Sequence, residues 1–548
     1  MNRKLFSAKK ESWWLIGFSI LLSSGLIIEP QLLCGALSKG DLSGMWIYWS
    51  SLIGSAFGLS FFAHLWQKVP VQTENEFIFF RYSGLGANYL HRFRSLYLGL
   101  LIIPFLLAFS LLGFSNILSY VMQISTKQAL CALCLLLGVV TFFNSLWRIL
   151  RLDFILFLLF TLTLAALVSL MYFQIGMPSL ADPIQKQQLQ LFPNTGTAAF
   201  SVFLGYVMVQ WWSASILDFP DMNGQKLMAA QSLSAVVKSF FLPQLLVFLC
   251  KALLFVLPFI AVLKGYTQGI SNPELAFSAL FVKTLPAWAL GLVVVFFLIP
   301  FLSFIQNHQN WAGSLLVANF YKYHIDPTLS QTKEQLLGKM AMLYTLLAAG
   351  IIAFQFDSLL TMVQYLFAIT AGVGPVFMLR WYWWRINAWS QLSAMLAGIV
   401  YPIVYRLLYS TSPVFQQAVY QARDFLHLDD YMLSLVILTL AVSFTWLLVT
   451  FLTPPTAFSH AQHFVNTVKP GGYWPGFQDH CSAFRVTRSG AWVLKTTSGF
   501  AMYLTFWNFV TQKYSAMCGF FVLYVLCFLG AYFLLAKANT QYEAQFLD

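Results

Sequence analysis

Fourteen stretches of twenty or more mostly apolar residues recur along this chain, separated by short polar connectors. They fall at 13–37, 44–66, 96–121, 128–147, 153–173, 197–217, 234–263, 285–321, 336–356, 359–379, 389–409, 431–452, 492–511 and 515–536. A helix crosses the hydrocarbon core of a bilayer with about 20 apolar residues, and each stretch reaches that length. The pattern predicts an all-α polytopic membrane protein with about 13–14 transmembrane helices. The stretch at 492–511 carries Lys495 and several polar residues, so lying in the interface is an alternative to spanning.

The first stretch is a poor helix in its middle. Ser23, Ser24 and Gly25 stand together, and Glu29 precedes Pro30. Proline lacks a backbone donor and disfavours the α conformation of the residue before it. Freed backbone groups at membrane depth are tolerated only against protein or a water-filled cavity. The reading is either a proline-kinked span or a discontinuous helix forming half of a binding site. Glu29 itself costs about 2.5 kcal/mol or more at membrane depth unless something pairs with it. Lys251, midway along the seventh stretch, is the other deeply placed charge, and the two are natural partners. In the eighth stretch Ser303, Gln306, Asn307, Asn310 and Ser314 recur at three- and four-residue spacing and share one helical face, with His308 and Gln309 beside it. That face suits a wet cavity, or interhelical hydrogen bonding. Asp153 opens the fifth stretch just after Arg148 and Arg151, which suits a structural or gating role.

Composition sharpens this picture. The 548 residues are 59% hydrophobic and 9% charged, with 54 Phe and 18 Trp. The net charge of +12 comes from basic residues spread over loops, which gives no nucleic-acid footprint. With the N-terminus placed inside, 22 Lys/Arg lie in inside segments, 8 in outside segments, and Lys251 in the membrane. That bias predicts a cytoplasmic N-terminus. The seven Cys sit mostly inside apolar stretches, so no disulfide framework is expected, and Cys131-x-x-Cys134 reads as packing. His460-x-x-His463 has no further ligand at metal-site spacing. No GxSxG, Walker or glycine-rich phosphate sequence occurs in a loop, which argues against an enzyme or an ATP-driven pump.

Several blocks resemble the sodium/solute symporter family, in a bacterial branch. They are RWYWWRINAWSQLSAM (380–395), WLLVTFLTPP (446–455) with VKPGGYW (468–474), FRYSG (80–84) with FRSLYLGL (93–100), and VQWW (209–212). The Trp/Tyr/Arg cluster at 380–389 reads physically as an interfacial anchor. The resemblance implies a LeuT-like fold, two inverted five-helix repeats with broken first and sixth helices, plus C-terminal helices. The segments would be an N-terminal tail (1–12), repeats at 13–173 and 197–380, further helices at 389–452, a Pro/Gly loop at 453–490 and a C-terminal part at 491–548. It also implies an inner-membrane location, a small-molecule solute and the lipid bilayer as partners, and no cofactor beyond a sodium ion.

By the same resemblance Ser24, Glu29 and Ser51 fall at substrate contacts of sugar-transporting members. Trp49 neighbours them, and Lys251, Gln306 and Asn310 complete the expected solute site. The family's sodium site matches Leu22, Gly25, Pro300 and Ser303. Its second hydroxyl position is Phe304, which offers no side-chain oxygen. The GG-x-T-D segment is altered to Asn144, Ser145 and Leu152 with Asp153 kept, and the glycine-rich break after VQWW is shortened (213–226). The expected function is therefore solute:cation symport by alternating access, coupled to sodium or protons. A sodium-independent carrier, a non-transporting membrane sensor, and an enzyme using His308 and Asn310 are the alternatives.

Overall fold

The computed structural model describes residues 11–22, 28–38, 42, 45–71, 73–143, 149–175, 191–194, 197–214, 217–219, 222–266, 268–270, 272–476 and 483–546. Among these, every predicted span coincides with helix and no strand forms. The first span is α1 (Trp13–Leu22) and α2 (Glu29–Ser38), and the second holds α3 (Trp46–Trp49) and α4 (Ser51–Phe61). The third is α5 (Gly84–Tyr97), running through a π-turn into α6 (Ile103–Met122), followed by α7 (Thr126–Phe143) and α8 (Ile149–Ile175). The sixth span is α9 (Ala198–Gly205), a π-turn, α10 (Trp211–Ser213) and, beyond a break, α11 (Met222–Met228). The seventh is α12 (Leu233–Leu263), and a short α13 (Ala276–Thr284) leads into the eighth, α14 (Ala287–Gly313).

The ninth span is α15 (Gln331–Ala353), and the tenth is a bent pair, α16 (Leu359–Thr370) and α17 (Gly374–Tyr382), at 45°. The chain closes with α18 (Ala388–Thr411), α19 (Pro413–Leu426), α20 (Asp430–Leu452), α21 (Phe458–Val468), α22 (Ala483–Val510) and α23 (Tyr514–Ala544). Among the described residues six helices are long and apolar enough to cross a membrane, or seven with the bent pair. The remaining spans are interrupted, shorter or more polar. Lipid requires apolar outer faces, and Ile403, Phe444 and Leu526 are exposed there.

α1 packs against α8, α12 and α14, and α2 against α12. The polar stretch at 492–511 lies within α22, which packs on α4, α12 and α23 and buries Ala501, Tyr503 and Phe506. It is an inner wall. Cys134 does pack closely: its Sγ lies 2.9 Å from where a Cβ on Gly350 would stand, so α7 and α15 touch there.

The tenth span breaks at Gly372, whose φ of +75° lies in the left-handed region. A Cβ there would stand 2.8 Å from Val442 Cβ and 2.9 Å from the Thr439 carbonyl oxygen. Backbone conformation and packing thus both require glycine. We expect Gly372→Ala to destabilise the purified protein by about 2–4 kcal/mol. Gly291→Ala, whose Cβ would meet nothing within 4 Å, is the control in the same melting experiment. Equal melting of the two variants would refute the argument.

Candidate functional site

In the first span α1 is described to Leu22 and α2 from Glu29. The expected Ser24 and Gly25 contacts lie outside the described residues. Pro30 occupies the first turn of α2, where a missing N–H leaves no hydrogen bond unmade. The Glu-Pro pair is thus a helix start, and the carboxylate of Glu29 stands at the positive end of the α2 dipole.

Three side chains converge on that carboxylate. Trp49 Nε1 donates to Oε1 over 3.1 Å, and the Tyr503 hydroxyl donates to the same oxygen over 2.6 Å. Lys251 Nζ lies 3.2 Å from Oε2 and 3.4 Å from the Tyr503 hydroxyl. The aromatic rings brace one another, with Trp49 and Tyr503 centroids 4.8 Å apart and Phe255 at 6.1 Å from each. The Lys251 and Glu29 side chains keep 18% and 12% of their exposure, so the pair is not sealed from its surroundings. Four spans (the first, second, seventh and thirteenth) supply these four residues. The Glu29–Lys251 pairing expected from the sequence is present. Tyr503 was not singled out from the sequence, because a tyrosine in a polar C-terminal stretch gives no signal of its own.

The second break is held from the far side of the chain. Between α10 and α11, Asp218 is fully buried. Arg380 Nε and Nη2 each lie 2.7 Å from its Oδ2, and Trp381 Nε1 donates to it over 2.7 Å. Trp66 Nε1 donates to the Asp218 carbonyl. The Gly372 N–H donates to the Ser213 carbonyl over 2.9 Å, and the Thr370 hydroxyl donates to that of Ala214 over 2.6 Å. Two carbonyls at the sixth-span break, those of Ser213 and Ala214, are therefore met from the tenth-span break. This narrows the interfacial reading of 380–389: Arg380 and Trp381 are buried, while Trp383, Trp384 and Arg385 stay half-exposed. An ion pair and an indole bond outweigh the general preference of Arg and Trp for the interface. Gln210, within VQWW, donates to the Ile47 carbonyl over 2.6 Å and ties the sixth span to the second.

The polar face of α14 divides. Ser303 and Asn307 are buried, and the Asn307 amide donates to the Ser303 carbonyl one turn back over 2.8 Å. Gln306 and Asn310 are half-buried on the same helix, and the structure records no bond from either to the Glu29 cluster. His308 Nδ1 lies 2.8 Å from the Phe304 carbonyl, and its ring stacks on Phe304 with centroids 3.9 Å apart. Gln309 turns to Thr141 over 3.3 Å. The stripe is thus partly consumed by packing and does not form one continuous wet face.

Of the expected cation ligands, Leu22 is buried at the end of α1, with Pro300 and Ser303 buried on α14, which α1 touches. Ser51 opens α4 and is exposed, whereas Trp49 is buried. Asp153 lies on α8, and its side chain is outside the described residues.

A family model described as the sodium:solute symporter family matches residues 12–398. No curated protein matches the sequence. Among solved structures, a Na+-coupled sialic acid symporter in a substrate-bound outward-open state is similar at TM-score 0.58 and 15% identity. The match covers 83% of this chain and 92% of that one. It gives this chain the same all-α, LeuT-like fold. A nucleobase-cation-symport-1 family transporter in a closed conformation matches at TM-score 0.45 and 12% identity, over 85% of this chain and 99% of that one.

Removing one member of a buried ion pair strands the other, which costs about 3–5 kcal/mol. Asp218→Asn is expected to show a loss of that size in denaturation of the purified protein. Asp430→Asn, at the exposed pair with Arg423, should stay within about 1 kcal/mol. Similar losses in both would contradict the latch.

Proposed function

The chain belongs to the sodium:solute symporter family, and from that premise we propose that Glu29, Lys251, Trp49 and Tyr503 form its solute site. As a member of that family the protein is a secondary transporter, moving a small solute with a cation across the membrane. The reading rests on one observation above the rest: a largely buried carboxylate–ammonium pair, still partly exposed, at the start of α2 in the first span. In transporters of this architecture, solute sites lie near the midplane, where broken helices meet. A solute with a carboxylate facing Lys251 and a hydroxyl or ammonium donor facing Glu29 would replace the internal pair with two charge-assisted bonds. The aromatic walls of Trp49, Tyr503 and Phe255 exclude water around it.

Repeats at 13–173 and 197–380 would rock about this site, with the N-terminus on the cytoplasmic side of a bacterial inner membrane. The loop bearing Asp218, held by Arg380, would be carried as one body with the tenth span. Asp153 would serve gating. A coupling cation would sit between the first-span carbonyls at Leu22 and Gly25 and the Pro300 carbonyl with the Ser303 hydroxyl. The packing of Phe304 on His308 favours a second reading, in which sodium is not the coupling ion. A sodium ion at this position would have one side-chain oxygen fewer.

Solutes are found by melting the purified protein with a panel of sugars, amino acids and organic acids, since a bound solute raises stability by mass action. Counterflow of any hit in proteoliposomes then follows, with sodium or choline as the cation. Uptake that rises with sodium supports sodium coupling, and equal uptake assigns the second reading. Lys251→Met and Glu29→Gln should each abolish counterflow. Tyr503→Phe removes one hydrogen bond to a charged group, about 1.5–3 kcal/mol, and should weaken solute binding about tenfold or more. Unchanged counterflow in Lys251→Met and Glu29→Gln would remove the site from this position.

A further inference from the structure

A cavity of about 330 Å³ lies between α6, the start of α7, the end of α15 and the turn before α13. Its volume is at the lower end for small-molecule sites. Leu112, Leu130, Leu275 and Phe356 give it an apolar floor, while Lys127 and Asp357 carry opposite charges on its walls. Among the described residues neither charge is in an ion pair. An apolar pocket carrying one separate cation and one separate anion matches a molecule with both charges of its own.

The cavity is wired to the first span. Asn116, in its wall, donates to Gln31 Oε1 over 3.1 Å, and Gln31 donates to the Gly113 carbonyl over 2.8 Å. Gln31 is fully buried on α2, two residues from Glu29. The rim is wired to the tenth span. Asn272 donates to the Asp357 carbonyl over 2.6 Å. Next to it, Glu274 accepts from the Ser358 hydroxyl over 2.8 Å and from the Leu359 N–H over 2.9 Å, which closes the start of α16. The same Glu274 side chain packs on α2 at Gly35. One small cavity therefore touches the mounts of both half-helices, α2 and α16.

We propose that this cavity is a second binding site, for a small zwitterion bearing a primary ammonium, whose occupancy holds α2 and α16 in the arrangement seen here. The anionic end faces Lys127 and the ammonium faces Asp357. That chemistry is offered by a free amino acid and by the headgroup of phosphatidylethanolamine, and under the proposed orientation the cavity faces the outer side, where it meets both.

The test uses the full-length protein in two settings. In detergent free of phosphatidylethanolamine, melting is followed against glycine, β-alanine and γ-aminobutyrate, with propionate and propylamine as single-charge controls. In nanodiscs of phosphatidylcholine, melting is compared with and without phosphatidylethanolamine. The expected result is stabilisation by a zwitterion or by phosphatidylethanolamine, with half-saturation weakened about tenfold in Lys127→Gln and Asp357→Asn. Lys127→Arg should retain it. Both side chains are exposed, so the variants should fold. Stabilisation must persist in Glu29→Gln, which separates this site from the central one. Response to free amino acids alone assigns a solute site, and response to phosphatidylethanolamine alone assigns a lipid site. No stabilisation in either setting, stabilisation indifferent to Lys127 and Asp357, or loss in Glu29→Gln would overturn the proposal.

Discussion

A helix that stops partway across a membrane leaves backbone N–H and C=O groups with no water to meet them, and each such group costs several kcal/mol unless protein supplies a partner. That constraint organises this molecule. Carbonyls at the sixth-span break are met from the tenth-span break, by the Gly372 N–H and the Thr370 hydroxyl. The Gly372 carbonyl in turn accepts from Trp446 Nε1 over 3.2 Å. Breaks are stable here because they are placed against one another. Asp218 and Arg380 add charge to the same junction, so its partners cannot separate singly without burying an unpaired ion.

The Glu29 cluster obeys the same rule with different groups. A carboxylate at a helix start is favoured by the dipole but still needs donors, and it receives an indole, a phenol and an ammonium. Such a pair stabilises the resting arrangement only weakly, because desolvation offsets most of the attraction. That near-balance suits a site whose internal partners must give way to an incoming solute.

Much of the fold was legible because bilayer thickness imposes a length on every span, and among the described residues each of the fourteen predicted segments holds helix. The Glu29-Pro30 pair and Lys251 stood out because charge and proline are costly in apolar runs. What was not legible depended on distance in sequence. Nothing in the neighbourhood of Tyr503 marks it as the partner of a residue 474 positions earlier. Asp218 sat unnoticed in a short loop, and its partner Arg380 looked like a surface anchor because aromatic and basic residues favour interfaces. The polar face of α14 was visible as a pattern, but whether an amide faces water or its own helix is decided by neighbours, as Asn307 shows.

The separation of the Glu29 partners along the chain also has a consequence in time. Translation adds about 5–20 residues per second, so Tyr503 is made roughly half a minute to a minute and a half after Glu29. Through that interval α2 has entered the bilayer with its carboxylate facing at most Trp49, and later Lys251. The finished cluster is therefore a closing event of biogenesis. A ribosome product ending before α22 would hold most of the transporter with the Glu29 acceptor oxygen lacking its shortest bond.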